Sequence, residues 1–349
     1  SRFLYQYPWV LKTAKIKWGN RMNNRKFLYS ENLLKNESGV ALILVLWVMV
    51  ILVAIVSEFA YSMRTELNIT RNFKEEEESY QLALAGIECA KMEIILAKNS
   101  LYAYLTEDGI LVFQKEKEEE IPERKGELGK GTFSYTITDE EGKLNINTAP
   151  PPQIRYIISN SGVDVTDIDT IVDSIIDWKD TDNLHMLNGA EEDYYQSLEN
   201  PYSSKDGPFD SIDELLLVKG VTPEIFYGSM KEEEDKEKNE GDEEKNGEDE
   251  EKEYESIAQY FTPWGSGRLN INTASQKVLE AVFGAAQAEN IIKQRAANPA
   301  LQGAIRPSVF TITSTGTTID GKIKRTIKTT IRREGNKLRV LYWNDNFIL

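Results

Sequence analysis

The 349-residue sequence contains one cysteine, Cys89, and one histidine, His185. A single thiol closes no intrachain disulfide, so no disulfide framework holds this chain. A single imidazole excludes a His-rich metal site and leaves His185 as the only imidazole for a Ser–His or Cys–His dyad. No nucleophile-elbow motif lies near it. No P-loop and no dinucleotide fingerprint is present either. The densest carboxylates crowd one loop rather than flank a cleft, which speaks against a glycosidase. These absences point away from an enzyme. Cys89 lies in a helical stretch and is expected to be a small core residue.

Charge is abundant but unevenly placed. The whole chain has 41 Lys+Arg against 57 Asp+Glu, a net charge of −16. That balance disfavours nucleic acid as a partner, because phosphate needs clustered positive charge. Residues 1–39 are net +6, residues 40–230 net −20, residues 231–255 net −10 and residues 256–349 net +8. The stretch 231–255 is nearly all charge, with Gly241 and Gly247, and is expected to be a disordered linker.

Residues 40–56, VALILVLWVMVILVAIV, contain no charge and sit at the short end of a membrane-spanning helix. The basic segment before them predicts a cytoplasmic N-terminus and an exported remainder. From Ser57 to Lys98 there is no proline, and Gly86 is the only glycine. Leu67, Phe73, Tyr80, Leu84, Ile87, Met92 and Ile95 recur at helical spacing. The two halves predict one helix of about 60 residues, half in lipid and half packed on a domain, stopping at Asn99-Ser100. Glu75–Glu78 reads as a solvated face.

Gly39 and Val40, followed by the apolar run, resemble the cleavage point of type IV prepilin-like proteins. The resemblance implies cutting by a prepilin peptidase between Gly39 and Val40. Such proteins usually carry Glu five residues into the mature chain; here that residue is Leu44. Lack of that Glu is the habit of the K-type minor pseudopilins of type II secretion systems. A subunit with no neighbour above it has no amine to neutralise in lipid.

GTFSYTIT (131–138), the turn DEEG (139–142) and KLNIN (143–147) read as one hairpin. KIKRTIKTTIRRE (322–334) and KLRVLYW (337–343), joined by Gly335-Asn336, read as a second, and TITSTGTT (311–318) as a further strand. Strands on both sides of a helical block predict an interrupted sheet. The expected class is α+β: a pilin-like long N-terminal helix packed on an antiparallel sheet, with a large α-helical insertion domain. Its parts are a basic cytoplasmic leader (1–39), the membrane half of the helix (40–56) and the pilin-like helix with the first strands (57–142). The α-helical insert (143–310), interrupted by the linker 231–255, and the last strands (311–349) complete it.

The insert contains a repeat, KLNINTA at 143–149 and RLNINTA at 268–274. Asn147 or Thr148, and Asn272 or Thr273, are the expected caps of the helices that follow. One resemblance is to helix-hairpin-helix modules, the basis of an alternative reading as a DNA-uptake or adhesion pilin. The acidity of the stretch opposes it. The K-type family is resembled more fully, through the two NINTA copies, IVDSIIDWKDTD (171–182), GAEEDYY (189–195) and FDSIDELLLVKGVT (209–222).

Asp177, Asp180 and Asp182, then Glu191, Glu192 and Asp193, place six carboxylates within 17 residues. Like charges at that density repel unless neutralised, and oxygen-rich loops suit hard divalent cations. The spacing is not an EF-hand. Trp178, Tyr194 and Tyr195 beside the carboxylates indicate a packed loop rather than a merely solvated one. The family resemblance implies a structural Ca²⁺ held by Asp177, Asp180, Asp182, Glu191 and Asp193, with Glu192 exposed and His185 on the surface. It further implies an inner-membrane, single-pass protein with a periplasmic domain. Its implied role is at the tip of the pseudopilus with I-type and J-type minor pseudopilins, initiating assembly and supporting protein export across the outer membrane.

Overall fold

The computed structural model describes residues 37–97, 103–106, 109–113, 123–229, 253–297 and 305–347. Most of the leader, the stop at Asn99-Ser100 and linker residues 231–252 lie outside them. The chain divides into two compact units, Ser1–Asn68 and Ile69–Leu349.

The described part of the first unit is helix alone. Helix α1 spans Glu37–Leu96. Every residue from Val40 to Val56 is exposed, and this helix is long and apolar enough to cross a membrane.

In the second unit, α1 becomes one-sided. Leu82, Ala83, Ile87, Ala90 and Ile94 are buried, at the three-to-four spacing of a single stripe. The stripe packs on Ile137, Phe310, Ile312, Ile327 and Ile331 of the main sheet. Cys89 lies outside this stripe and is exposed, which corrects the expected core position. The helix end is satisfied from the sheet. Arg333 donates through Nη1 to the Ala97 carbonyl at 2.8 Å and through Nη2 to that of Ile95 at 3.4 Å. A second tie is Arg124, which pairs with Glu93 at 2.6 Å, while the Tyr135 hydroxyl donates to the same carboxylate at 3.1 Å.

Two short strands, β1 (Ala103–Leu105) and β2 (Leu111–Phe113), form their own antiparallel pair. The main sheet contains β3 (Lys125–Leu128), β4 (Gly131–Asp139), β7 (Val309–Thr317), β8 (Lys324–Glu334) and β9 (Lys337–Asn344), in the order β3-β4-β7-β8-β9. All its pairings are antiparallel. The β8–β9 hairpin matches the sequence reading; the hairpin over 131–147 does not. β4 pairs with β3 and β7, and Glu140–Gly142 forms a 3₁₀ turn capped by Asp139. Leu144–Asn145 (β5) instead pairs in parallel with Phe261–Thr262 (β6). The reason is the buried Asp139 carboxylate. It accepts from Glu141 N at 2.9 Å, Asn270 Nδ2 at 2.7 Å and Thr273 Oγ1 at 2.6 Å. The turn is thereby tied to the second NINTA copy rather than folded back as a hairpin.

The insert comprises α2 (Pro151–Ser159), α3 (Val165–Lys179), α4 (Glu192–Gln196), a 3₁₀ helix (Ile212–Leu217), α5 (Pro223–Tyr227), α6 (Gln276–Phe283) and α7 (Ala285–Ala297). They enclose one core that includes Ile154, Ile171, Trp178, Tyr195, Phe226 and Leu279. The repeat is real in three dimensions. In each copy the first asparagine makes the turn: Asn145 Oδ1 accepts from Asn147 N at 2.9 Å, and Asn270 Oδ1 from Asn272 N at 3.2 Å. The expected caps are corrected. Pro150 and Ser275 are the N-caps of α2 and α6, with Ser275 Oγ accepting from Val278 N. Asn147 instead exchanges hydrogen bonds with the Phe209 main chain, at 3.0 and 2.8 Å.

Candidate metal centre

The acidic cluster is built on the C-terminal end of α3. Asp173 and Asp177 lie four residues apart on one face of the helix, and Asp180 is its C-cap. The chain then loops back, and main-chain N–H groups strap it onto these carboxylates. Met186 N donates to Asp177 at 3.1 Å and Asn188 N to Asp173 at 3.1 Å. Leu184 N donates to Asp182 at 2.9 Å. Gly189 has no substitute here, since a Cβ on it would stand 1.8 Å from Asp177 Oδ2. Lys219 holds the loop from the other side, donating to the carbonyls of Gly189 at 3.0 Å and Asn188 at 3.3 Å. Its ammonium also lies 4.9 Å from the centre of the Tyr194 ring.

Of the five carboxylates carried over from the family, three converge. Asp177, Asp180 and Glu191 bring ligand oxygens within 4.8 Å of one another. Asp177 and Glu191 are buried, at 0 % and 2 % exposure. Both Glu191 oxygens and Asp180 Oδ1 are buried without a hydrogen-bond partner. Asp182 and Asp193 are exposed and lie outside this group. Asp193 Oδ1 stands 3.1 Å from Nε2 of the exposed His185. Glu192, expected exposed, is half-buried and accepts from Ser204 N at 2.9 Å.

The electrostatics follow from burial and crowding. Burial first, with the neighbouring charge of Asp180, pushes the Asp177 carboxyl above its ordinary range. Asp180 is raised for the same leading reason, with Asp182 and Asp206 adding to it. Glu191 is pushed up to about 7 by burial, then by Asp177, Asp180 and Asp206. Asp206 is the residue that sequence reasoning missed. It belongs to a separate loop, has a positive φ of 51° and accepts from Ser204 Oγ at 2.7 Å. Its Asp-Gly-Pro context signals a turn, and only the fold brings its charge to the cluster. Three converging carboxylates, two of them (Asp180 and Glu191) with orphaned oxygens, form an incomplete oxygen cage suited to a hard cation.

Residues 136–228, which contain this cluster, match the family described as type II secretion system (T2SS), protein K. A putative type II secretion system protein K of Escherichia coli (strain K12) is 25% identical over 209 residues, covering 54% of this chain and 60% of that protein. The type II secretion system protein K of Pectobacterium carotovorum subsp. carotovorum is 33% identical over 89 residues, 25% of this chain and 27% of that protein. The chain thus spans less than two thirds of the length of these relatives. In fold, it is similar to a chain of the crystal structure of the GspK-GspI-GspJ complex from enterotoxigenic Escherichia coli. The TM-score is 0.52 at 17% identity, over 79% of this chain and 98% of that one. The long N-terminal helix, the antiparallel sheet and the additional helices of this chain agree with the fold class read from the sequence. The stretch that matches the type II secretion system protein K family, residues 136–228, is thus the one that contains the buried carboxylates Asp177, Asp180 and Glu191.

Proposed function

We propose that this chain is a K-type minor pseudopilin. In this reading residues 40–56 anchor it once in the inner membrane, with the N-terminus cytoplasmic and the folded unit periplasmic. It sits at the tip of the pseudopilus with I-type and J-type minor pseudopilins, initiates assembly, and so supports export across the outer membrane. The observation that carries the reading is a protein K domain in the same chain as one helix apolar enough to span a bilayer. The fold likeness to a chain solved with GspI and GspJ supports the choice of partners. Mechanistically, the exposed apolar side chains of 40–56 supply lateral contacts to neighbouring helices within lipid. Leu44 brings no carboxylate into the bilayer.

N-terminal sequencing of membrane-extracted protein tests the prepilin reading. A start at Val40 is expected, and an intact leader overturns it. Co-purification with I-type and J-type partners tests the assembly role. A gel shift that survives physiological salt would instead favour the DNA-uptake alternative.

The buried carboxylates are proposed as a structural Ca²⁺ site. Asp177, Asp180 and Glu191 would hold the ion, their fit resting on the partnerless oxygens of Asp180 and Glu191. Asp182 and Asp193 remain candidates from the family resemblance. A bound cation would neutralise these crowded charges and fasten the 181–191 loop to α3. Ca²⁺ should raise the unfolding midpoint of the full chain and EDTA lower it. No shift across millimolar Ca²⁺ removes the site.

A further inference from the structure

The main sheet has two edges, β3 and β9. β3 is four residues long and carries Gly126, which leaves little to recognise. β9 is eight residues long, and its only described strand partner is β8. Its outer edge presents a row of main-chain donors and acceptors, the usual template for an added strand.

The register sorts the β9 side chains by face. Leu338, Val340 and Trp343 stand opposite Arg333, Ile331 and Thr329, on the face that carries α1. Leu338 packs on the core, whereas Val340 and Trp343 remain 47% and 38% exposed. Lys337 and Arg339 stand opposite Glu334 and Arg332 on the other face. Further along that face, Tyr342 is occupied by the insert, donating to Asp213 at 2.8 Å. Arg332 and Arg339 are not so occupied: they are like charges directly opposed across two strands, and no described carboxylate pairs with either. Such an arrangement is unfavourable by itself. An incoming carboxylate on this face relieves it.

We propose that β9 accepts an extended segment of a partner protein as a sixth strand, one that alternates acidic and apolar residues. The acidic side chains would meet Arg339, Arg332 and Lys337, and the apolar ones Val340 and Trp343. A second copy of this chain is a poor occupant, since β9 carries Lys337 and Arg339 but no carboxylate to set against them.

The test uses the full chain in detergent micelles and eight-residue peptides alternating Glu with Val or Lys with Val. Residue-resolved amide exchange is the readout. The Glu/Val peptide is expected to protect β9 amides, and the Lys/Val peptide is not. Reversing both arginines (Arg332→Glu, Arg339→Glu) should weaken binding about tenfold, because two charge contacts are lost. Arg339→Gln provides a milder variant if the double reversal disturbs folding, with a smaller loss expected. Absence of protection, protection elsewhere, or equal binding of the Lys/Val peptide overturns the proposal. Binding seen only after residues 231–252 are deleted would make the chain's own acidic run the occupant, and the partner reading falls.

Discussion

The ammonium of Lys219 is hydrogen-bonded to the carbonyl oxygen of Gly189, the residue packed directly against the Asp177 carboxylate. Lys219 therefore sets the wall of the proposed cation site without being a ligand. Lys219→Met should weaken Ca²⁺ binding about tenfold, a change of about 1.4 kcal/mol, while Lys219→Arg retains most of it. Titration calorimetry on the full chain checks this, and unchanged affinity in Lys219→Met would deny Lys219 a positioning role.

Removing a carboxylate should have opposite effects with and without the ion. Glu191 is buried beside Asp177 and Asp180 with both oxygens unpartnered, so Glu191→Gln is expected to raise the unfolding midpoint in EDTA. The same variant should lose the stabilisation by Ca²⁺. Asp193→Asn lies outside the buried group and is expected to keep it. Thermal melts in Ca²⁺ and EDTA compare the three proteins, and loss of the Ca²⁺ response in Asp193→Asn would enlarge the ligand set.

Asp139 gives the fold a pH dependence of defined sign. Burial pushes its carboxyl up to about 7, against the lowering effect of the Thr273 and Asn270 hydrogen bonds. The native state thus keeps a proton that the unfolded chain releases at its ordinary value of 3.8. This group's stabilisation is full below about pH 4 and is lost as pH rises through about 7. Asp139→Asn should flatten the slope of stability between those limits. Parallel slopes in urea titrations of the two proteins would show that Asp139 is not its source.

The approach of α1 to the sheet rests on two glycines with unequal tolerance. A Cβ at Gly316 would stand 2.0 Å from the Ser79 carbonyl oxygen, whereas at Gly86 the nearest atom is the Ser314 hydroxyl at 2.2 Å. Backbone cannot yield as a hydroxyl rotor can. Gly316→Ala is expected to cost about 1–3 kcal/mol and Gly86→Ala less, measured by chemical denaturation. The reverse ranking would place the close contact elsewhere.

Much of this architecture was legible because its signals are local. The membrane-compatible run needs only composition, and the β8–β9 hairpin announces itself through alternation around Gly335-Asn336. The expected hairpin over 131–147 failed because Asp139 takes its partners from Asn270 and Thr273, more than 130 residues later. Cys89 was misplaced because a helix interior gives no sign of which face meets the sheet until the stripe is seen. Within the acidic cluster, residue type and spacing marked six carboxylates, among them the three that converge, Asp177, Asp180 and Glu191. Separating them from Asp182 and Asp193, and recruiting Asp206, depends on burial that only tertiary packing decides.

The pairing of β4 with β7 joins Thr138 to Thr311, 173 residues apart. During synthesis β4 is therefore complete long before its central partner exists, and the insert must be made in between. The insert has its own core and can condense first, while the edge of β4 stays open until the last strands arrive. Late closure of a high-separation pairing is slow and leaves a strand edge exposed to misassociation. The order in which this chain is made thus sets a vulnerable interval that ends only with its C-terminal hairpin.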